Sequence, residues 1–577
     1  MRLTNLLMDY RHRFIAVVAC VSAFGASAWP VSERVRAQGG GLFVDVTEGS
    51  GFDFVHVNGA AGELHLPEVM GAGGALFDYD NDGDLDLFAV QGGLLRSEAR
   101  RGAAPASRLF RNDTDARLRR VRFTDVTAPS GIAAAGTGIG AAVGDVDNDG
   151  WADLYVTYLG SNRLFRNNGD GTFADVTARA GVAVGRWSTS ATFFDYDRDG
   201  WLDLFVTNYV NFRPDMKRQC FSAASARDYC NPAVYEPVAD RLFRNNRDGT
   251  FADTSARAGL IVAPARGLGV LAADVNGDGW TDLYVANDGD PNQLWINRGG
   301  TGAFSDEALL AGVAVDRGGR AQESMGIDAG DIDGDGDEDL FVTNLDNEGN
   351  TLYRNLGGGL FEDRTVETGL FKLGLTGFGT RFVDYDHDGW LDLVVANGAV
   401  RQLTAQAQRG DPYPLKQRSQ LFHNGGGRRF TDVSAAGGPA FAALQVARGV
   451  AAGDLDNDGD SDLVIFNNNG PARLLVNEAG SGGHWIGIRA IDGRYRRDAI
   501  QARIVVAGPG RDRSRTVRTD GSYAAAGDPR VLFGLGSEAA PRTVRVHWPG
   551  GQVEEFAGLE VDRYWVLESG KAPRAIR

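Results

Sequence analysis

The chain has 577 residues, 43% hydrophobic and 23% charged, which is enough apolar material for a large core. Glycine stands at 79 residues, roughly twice the usual share, as a turn-rich all-β chain would have it. A net charge of −17 argues against a nucleic-acid partner.

Residues 1–37 read as an export signal and leader. Arg2, Arg11 and Arg13 supply a basic start, residues 14–29 are apolar and rich in small side chains, and "ASA" (26–28) and "VRA" (35–37) both fit a cleavage site. The apolar run is short for a transmembrane span, and a buried N-terminal helix is the alternative. "VVAC" (17–20) is similar to a bacterial lipobox, which would place a lipid anchor at Cys20. The expected location is extracytoplasmic: secreted, periplasmic or on the cell surface. No other segment could span a membrane.

"DYDNDGDLDL" at 78–87 is the first of seven related phrases, the others starting at 145, 195, 274, 331, 384 and 454. Two more phrases travel with it. One is like "LFRN" and begins at Leu109, Leu164, Leu242, Leu294, Leu352, Leu421 and Leu474; the other is like "FxDVT" and begins at Phe43, Phe123, Phe173, Phe251, Phe304, Phe361 and Phe430. Each unit then holds four strand candidates: a Gly-rich run entering the acidic loop, an apolar run leaving it, the "LFRN" strand and the "FxDVT" strand. Four strands at roughly 50-residue spacing predict a propeller blade, with a stacked solenoid as the competing arrangement. The first unit opens with a spare "FVDVT" strand at 43–47, and the last ends at "LLVN" without one. The N-terminal strand can therefore complete the last blade and close the ring, so that no ragged edge is left. The predicted fold is all-β: a seven-bladed β-propeller over 40–480 with calcium-binding hairpin loops, a small β domain over 481–570 and a tail at 571–577.

Counted from its first residue, each acidic phrase carries oxygen donors at positions one, three, five and nine and a glycine at position six. Calcium takes six to eight oxygens in flexible geometry, which suits such a loop, with position seven lending its carbonyl. The expected ligands are Asp78, Asp80, Asp82 and Asp86; Asp145, Asp147, Asp149 and Asp153; Asp195, Asp197, Asp199 and Asp203; Asp274, Asn276, Asp278 and Asp282; Asp331, Asp333, Asp335 and Asp339; Asp384, Asp386, Asp388 and Asp392; and Asp454, Asp456, Asp458 and Asp462. Up to seven Ca²⁺ ions are expected. An EF-hand is excluded, because position twelve is apolar in every copy and an apolar strand follows position nine. Magnesium prefers fewer protein ligands, and zinc and iron would want His or Cys at the odd positions. Asp84, at position seven, is expected to be dispensable as a ligand. Trp151, Trp201, Trp280 and Trp390 occupy that position in four copies. They are expected to pack between blades, with sugar stacking as the alternative.

The longest insertions, 91–107, 209–240 and 398–419, all fall between the second and third strands of a unit, on the side away from the acidic loops. Cys220 and Cys230 lie in the second of these and favour a local disulfide, with free thiols as the alternative. Long loops on a rigid scaffold tend to carry function, so the ligand face is expected there.

The acidic loops and Gly-rich strands resemble FG-GAP/VCBS repeats, as in the integrin alpha propeller. That resemblance implies calcium in the hairpin loops and ligand contacts on the opposite face. "GGHWIGIRAIDG" (482–493), "RDAIQARIVV" (497–506), "LFGLG" (532–536) and "VRVHWPGGQVEEF" (544–556) resemble the ASPIC/UnbV domain. Together the two regions are similar to the cartilage acidic protein family and its bacterial relatives. Gln501 departs from the pattern by standing where that motif usually has Gly. The expected function is non-catalytic recognition or adhesion toward a protein or glycan ligand. The alternatives are an exported enzyme built on the propeller scaffold, as a hydrolase or lyase, and a structural part of a surface complex. No GxSxG or HExxH signature supports catalysis. His56, His65, His387, His423, His484 and His547 show no ligand or triad spacing.

Overall fold

Every acidic phrase sits at the turn between two antiparallel strands. The computed structural model describes residues 41–95, 105–115, 120–132, 134–216, 218–222 and 225–576. The export signal, its cleavage sites, the Cys20 motif and part of the 91–107 insertion lie outside them. From Gly40 onward the chain forms one compact unit.

Seven four-stranded antiparallel blades repeat the strand order read from the sequence. In the second blade, Gly138–Gly144 enters the loop, Asp153–Gly160 leaves it, and Arg163–Asn167 and Phe173–Asp175 complete the sheet. Gly138–Gly144 is buried along its whole length, because neighbouring blades cover both of its faces. The seventh blade takes its outer strand from the N-terminus: Phe43, Val44 and Asp45 pair antiparallel with Asn477, Val476 and Leu475. The ring is therefore closed by the chain's own ends. Four of the "FxDVT" strands run into one-turn helices that the sequence reading did not include, Thr127–Ser130, Thr177–Ala180, Ser255–Ala258 and Ala308–Ala311.

The recurring Asn of "LFRN" explains how the blades hold together. The Asn167 side chain donates to Ala152 O in its own blade and to Tyr79 O, at position two of the preceding acidic loop. The same bond to the preceding blade recurs from Asn245 to Val146, Asn297 to Tyr196, Asn355 to Val275, Asn424 to Ile332 and Asn477 to Tyr385. Asn112 completes the circuit by donating to Leu455 O of the last blade at 2.8 Å. These seven buried bonds run around the whole ring.

The C-terminal β region is built from two sheets. His484–Asp492 lies at the centre of one, parallel to Tyr564–Glu568 and antiparallel to Val531–Gly536. Arg503–Val506 and Arg542–His547 form the middle of the other. This region caps the acidic-loop side of the propeller. Between its sheets, residues 519–527 leave the cap and enter the propeller axis. Asp520 Oδ2 accepts from Thr192 and Ala272 N, Ser522 pairs with Ile327, and Ala524 O accepts from Gly74 N and Ala141 N. Arg381 and Val450 N donate to Asp520 O and Ser522 Oγ. One short segment thus bonds the innermost strands of all seven blades, and the axis is filled by the chain itself. This accounts for glycines in those strands. A Cβ at Gly73 would stand 1.9 Å from Ala524 O, and one at Gly140 would stand 2.7 Å from Ala524 Cβ.

At the far end of the axis, Tyr523 donates to Met70 O and packs on Phe378. Residues of the 209–240 and 398–419 insertions, including Tyr209, Phe212, Tyr229 and Leu415, join Leu66 and Met70 in a buried cluster over it. Cys220 and Cys230 are disulfide-bonded, with Cα atoms 5.0 Å apart.

Candidate cation loops

The seven loops share one hydrogen-bonding scheme. Position four has positive φ throughout, as at Asn81 (57°), Arg198 (54°), Gly277 (73°) and His387 (59°), which turns the chain sharply enough to converge the odd-numbered side chains. The first aspartate accepts from the N–H of the position-six glycine, at 2.8 Å for Asp145 and Asp195. The fifth accepts from the N–H of position seven, at 3.0 Å for Asp149 and 2.8 Å for Asp278. The ninth is almost wholly buried in every copy. One of its oxygens takes the position-two N–H and the other the N–H of the "LFRN" asparagine, 3.0 and 2.7 Å for Asp153. Both position-nine oxygens therefore already carry a main-chain bond, and each keeps a second lone pair.

The carboxylate at position three is held from one side. Arg166 binds Asp147 Oδ2 at 2.5 Å, Arg244 binds Asp197 Oδ2 at 2.7 Å and Arg354 binds Asp333 Oδ2 at 2.5 Å. The Oδ1 of Asp147, Asp197 and Asp333 is buried and accepts no hydrogen bond among the described residues, as are Asp78 Oδ1, Asp80 Oδ1 and Asp384 Oδ1. A buried carboxylate oxygen without a partner is costly, and a cation would satisfy it. Ligand atoms of Asp78, Asp80 and Asp86, of Asp145, Asp147 and Asp153, of Asp195, Asp197 and Asp199, and of Asp331, Asp333 and Asp335 lie within 4.8 Å of one another in each loop. Such all-oxygen sets fit a hard divalent ion. The electrostatics agree. Burial pushes the carboxyls up, to about 6 at Asp78, about 7 at Asp145 and about 9 at Asp86. Arg489 of the cap pulls Asp78 the other way.

The sixth loop differs. His423 occupies the place of the "LFRN" arginine and lies 3.4 Å from Asp386 and 3.3 Å from Asp392. It groups with Asp386 and Asp388 as a potential donor set. The sequence reading counted donors only within the loop, so a histidine arriving from the next strand but one escaped it. Two of the position-seven tryptophans pack between blades: Arg198 of the third loop stacks on Trp280 at 4.3 Å, and Trp390 lies against Gly334 of the fifth, whereas Trp151 lies against Gly169 of its own blade. Asp84 also has an inter-blade role, accepting from Asn457 of the last loop at 2.6 Å.

The cap sets side chains on six of the loops. Arg489 reaches Asp78, Arg497 reaches Asn148 and Gly200 O, Tyr495 reaches Asp199 O, Arg503 reaches Gly336 O, Arg511 reaches Gly389 O and Tyr564 reaches Asp454. The small β domain expected over 481–570 thus covers the acidic-loop face, which is largely closed by arginine-rich contacts.

A closed ring of acidic-loop blades, stapled by asparagine and capped at its loop face, defines a repeat propeller with a C-terminal β cap. The family model described as FG-GAP-like repeat matches residues 78–156, 145–206, 229–285, 274–342 and 331–395, and the one described as ASPIC and UnbV matches 493–574. The chain belongs to the FG-GAP-like repeat family and carries an ASPIC/UnbV region at its C-terminal end. Cartilage acidic protein 1 of Homo sapiens is 29% identical over 245 residues, covering 40% of this chain and 33% of that protein. The Mus musculus protein of the same name is 30% identical over 164 residues, 27% of this chain and 25% of that protein. The matches thus span a quarter to a third of those relatives. Among solved structures, an Agrocybe aegerita lectin that recognises non-reducing terminal N-acetylglucosamine superposes with a TM-score of 0.36 at 17% identity, over 65% of this chain and 88% of the lectin. Saccharomyces cerevisiae Sqt1 gives 0.37 at 9% identity, over 76% of this chain and 98% of Sqt1. Superpositions that loose fix no site. No helix among the described residues is long and apolar enough to cross a membrane.

Proposed function

We propose that the protein is an exported, calcium-stabilised recognition or adhesion protein without catalytic activity. Its seven loops hold Ca²⁺ through the carboxylates at positions one, three and five, Asn276 standing in at position three of the fourth, with the position-nine aspartate closing each site. Bound calcium supplies the positive charge that the buried carboxylates lack and stiffens the loop face against the cap. The ligand, a protein or a glycan on the outer or periplasmic side, docks at the opposite end. The observation that carries this reading is the division of the two ends. The cap covers the loop side, and the disulfide-tied 209–240 and 398–419 insertions gather at the other. The test is a panel of immobilised extracellular matrix proteins and glycans, probed with the calcium-loaded chain and with a variant in which residues 213–222 are replaced by a short Gly-Ser link. Binding that survives the replacement and is unaffected by chelator would overturn the assignment.

One observation favours an enzyme instead. Asp288, raised to about 7 by burial and then by Glu323, lines a small cavity of about 20 Å³ with Glu323 and Tyr209 at the insertion end. A hydrolase and lyase substrate screen in which turnover is lost in Asp288→Asn would support that alternative.

A further inference from the structure

The fourth acidic loop is the exception to the cap's contacts. No hydrogen bond or ion pair joins it to the cap among the described residues. It opens instead on a cleft of about 330 Å³ between cap and propeller. Three observations converge on this cleft. Gln501 lines it at φ +73°, a conformation that a side chain adopts only under strain and that glycine would adopt freely. The Gln501 side-chain amide nitrogen has no hydrogen-bond partner, and neither has the indole N–H of Trp548, whose ring forms part of the same wall. Thr281 of the loop and Arg503 of the cap belong to the same lining, adding a hydroxyl and a planar guanidinium.

We propose that this cleft is a binding site for a neutral saccharide. A sugar ring presents an apolar C–H face and an edge of hydroxyls, each both donor and acceptor. The cleft offers the matching set: an indole wall, an amide, a guanidinium and a hydroxyl. Apart from the cation-loop aspartates, the lining carries two acids, Asp337 and Glu338, and two arginines, Arg198 and Arg503, so a charged ligand gains no net attraction. At about 330 Å³ the cleft falls at the lower end of small-molecule sites, a size for a single sugar ring. Strain at Gln501 follows from the assignment, because the position holds an amide where the backbone favours glycine.

The test is saturation-transfer NMR and calorimetry on the full calcium-loaded chain with methyl hexosides, N-acetylhexosaminides and pentosides, with malonate and putrescine as charged comparators. At least one glycoside should bind, the charged probes should not, and Gln501→Gly should weaken binding at least fivefold. Glycine relieves the backbone, so this variant should melt no lower than the parent, which separates lost recognition from lost fold. Thr281→Val should weaken the same glycoside. Replacement of 213–222 should leave it bound, which distinguishes this cleft from the insertion end. The proposal is overturned if no glycoside binds, if Gln501→Gly binds as the parent does, or if only the charged probes bind.

Discussion

Replacing Asn167 with alanine should loosen the ring at one seam. Asn167 is fully buried, and its amide spans 2.8 Å to Tyr79 O of the first blade and 3.2 Å to Ala152 O of the second. Its Oδ1 also accepts from Gly169 N at 3.0 Å. Alanine deletes all three bonds and leaves the Tyr79 carbonyl in a space too dry for water to replace them. At about 1 kcal/mol for each bond, and about 1–3 kcal/mol for the stranded carbonyl, the loss is about 4–6 kcal/mol. If the compact unit of roughly 540 residues melts as one, its unfolding entropy is about 1.1 kcal/mol/K, and the melting temperature falls by about 4–5 °C. If the seam opens locally, the melting unit is smaller and the fall is larger. Scanning calorimetry at fixed excess calcium reads this directly, with the exposed neighbour Asn168→Ala as control. Asn477→Ala, which loses one bond to the preceding blade and one to Ala479 N, should fall less. A melting temperature for Asn167→Ala within 1 °C of the parent, or no lower than that of the control, refutes the stapling argument.

In chelator the buried loop carboxyls, lifted to about 6 at Asp78, about 7 at Asp145 and about 9 at Asp86, keep protons that the unfolded chain releases. Stability from these raised groups is full below about pH 4 and is lost as pH rises through about 6 to 9, so the chelated chain should melt higher at about pH 5.5 than at about pH 8. The reverse order in chelator refutes this, and calcium binding near pH 7 should release protons, measurable by calorimetry in buffers of different ionisation enthalpy. His423→Arg, which installs the residue type that Arg166 supplies at the second loop, should preserve cation affinity at the sixth, whereas His423→Ala should weaken it by about tenfold, or about 1.4 kcal/mol; luminescent lanthanide titration separates the two. Gly140→Val should drive residues 519–527 out of the axis and yield a chain that is cleaved in that segment by limited proteolysis, whereas the parent is protected there.

The blade count, the order of strands and the closing strand were legible because each is written as a local phrase repeated at a fixed offset. The acidic loops were legible for the same reason: "DYDNDGDLDL" carries its donors within nine residues. What escaped was relational. Residues 519–527, "TDGSYAAAG", have no periodicity, and their meaning lies in seven innermost strands elsewhere, six of which carry glycine. The "LFRN" asparagine was visible as a repeated letter, yet its partner is a carbonyl one blade away, which no spacing within the unit reveals. His423 was missed because it enters the sixth loop from another strand. Gln501 was noticed as a departure from glycine, and its φ of +73° gives that departure a physical cost.

The segment in the axis also bears on the order in which the molecule can be made. The strand Phe43–Asp45 emerges first but must wait for Arg473–Asn477 before it has a partner. The hub arrives later still, from 519–527. Until both have been synthesised, the blades form an open arc with unpaired edges at its ends and an unfilled centre. The closing strand and most of the hub's contacts join residues hundreds of positions apart, so folding should be slow and should finish only after residues 519–527 have been made. Under the proposed export, such a chain would cross a membrane unfolded and assemble on the far side, and the proposed calcium would be met only there.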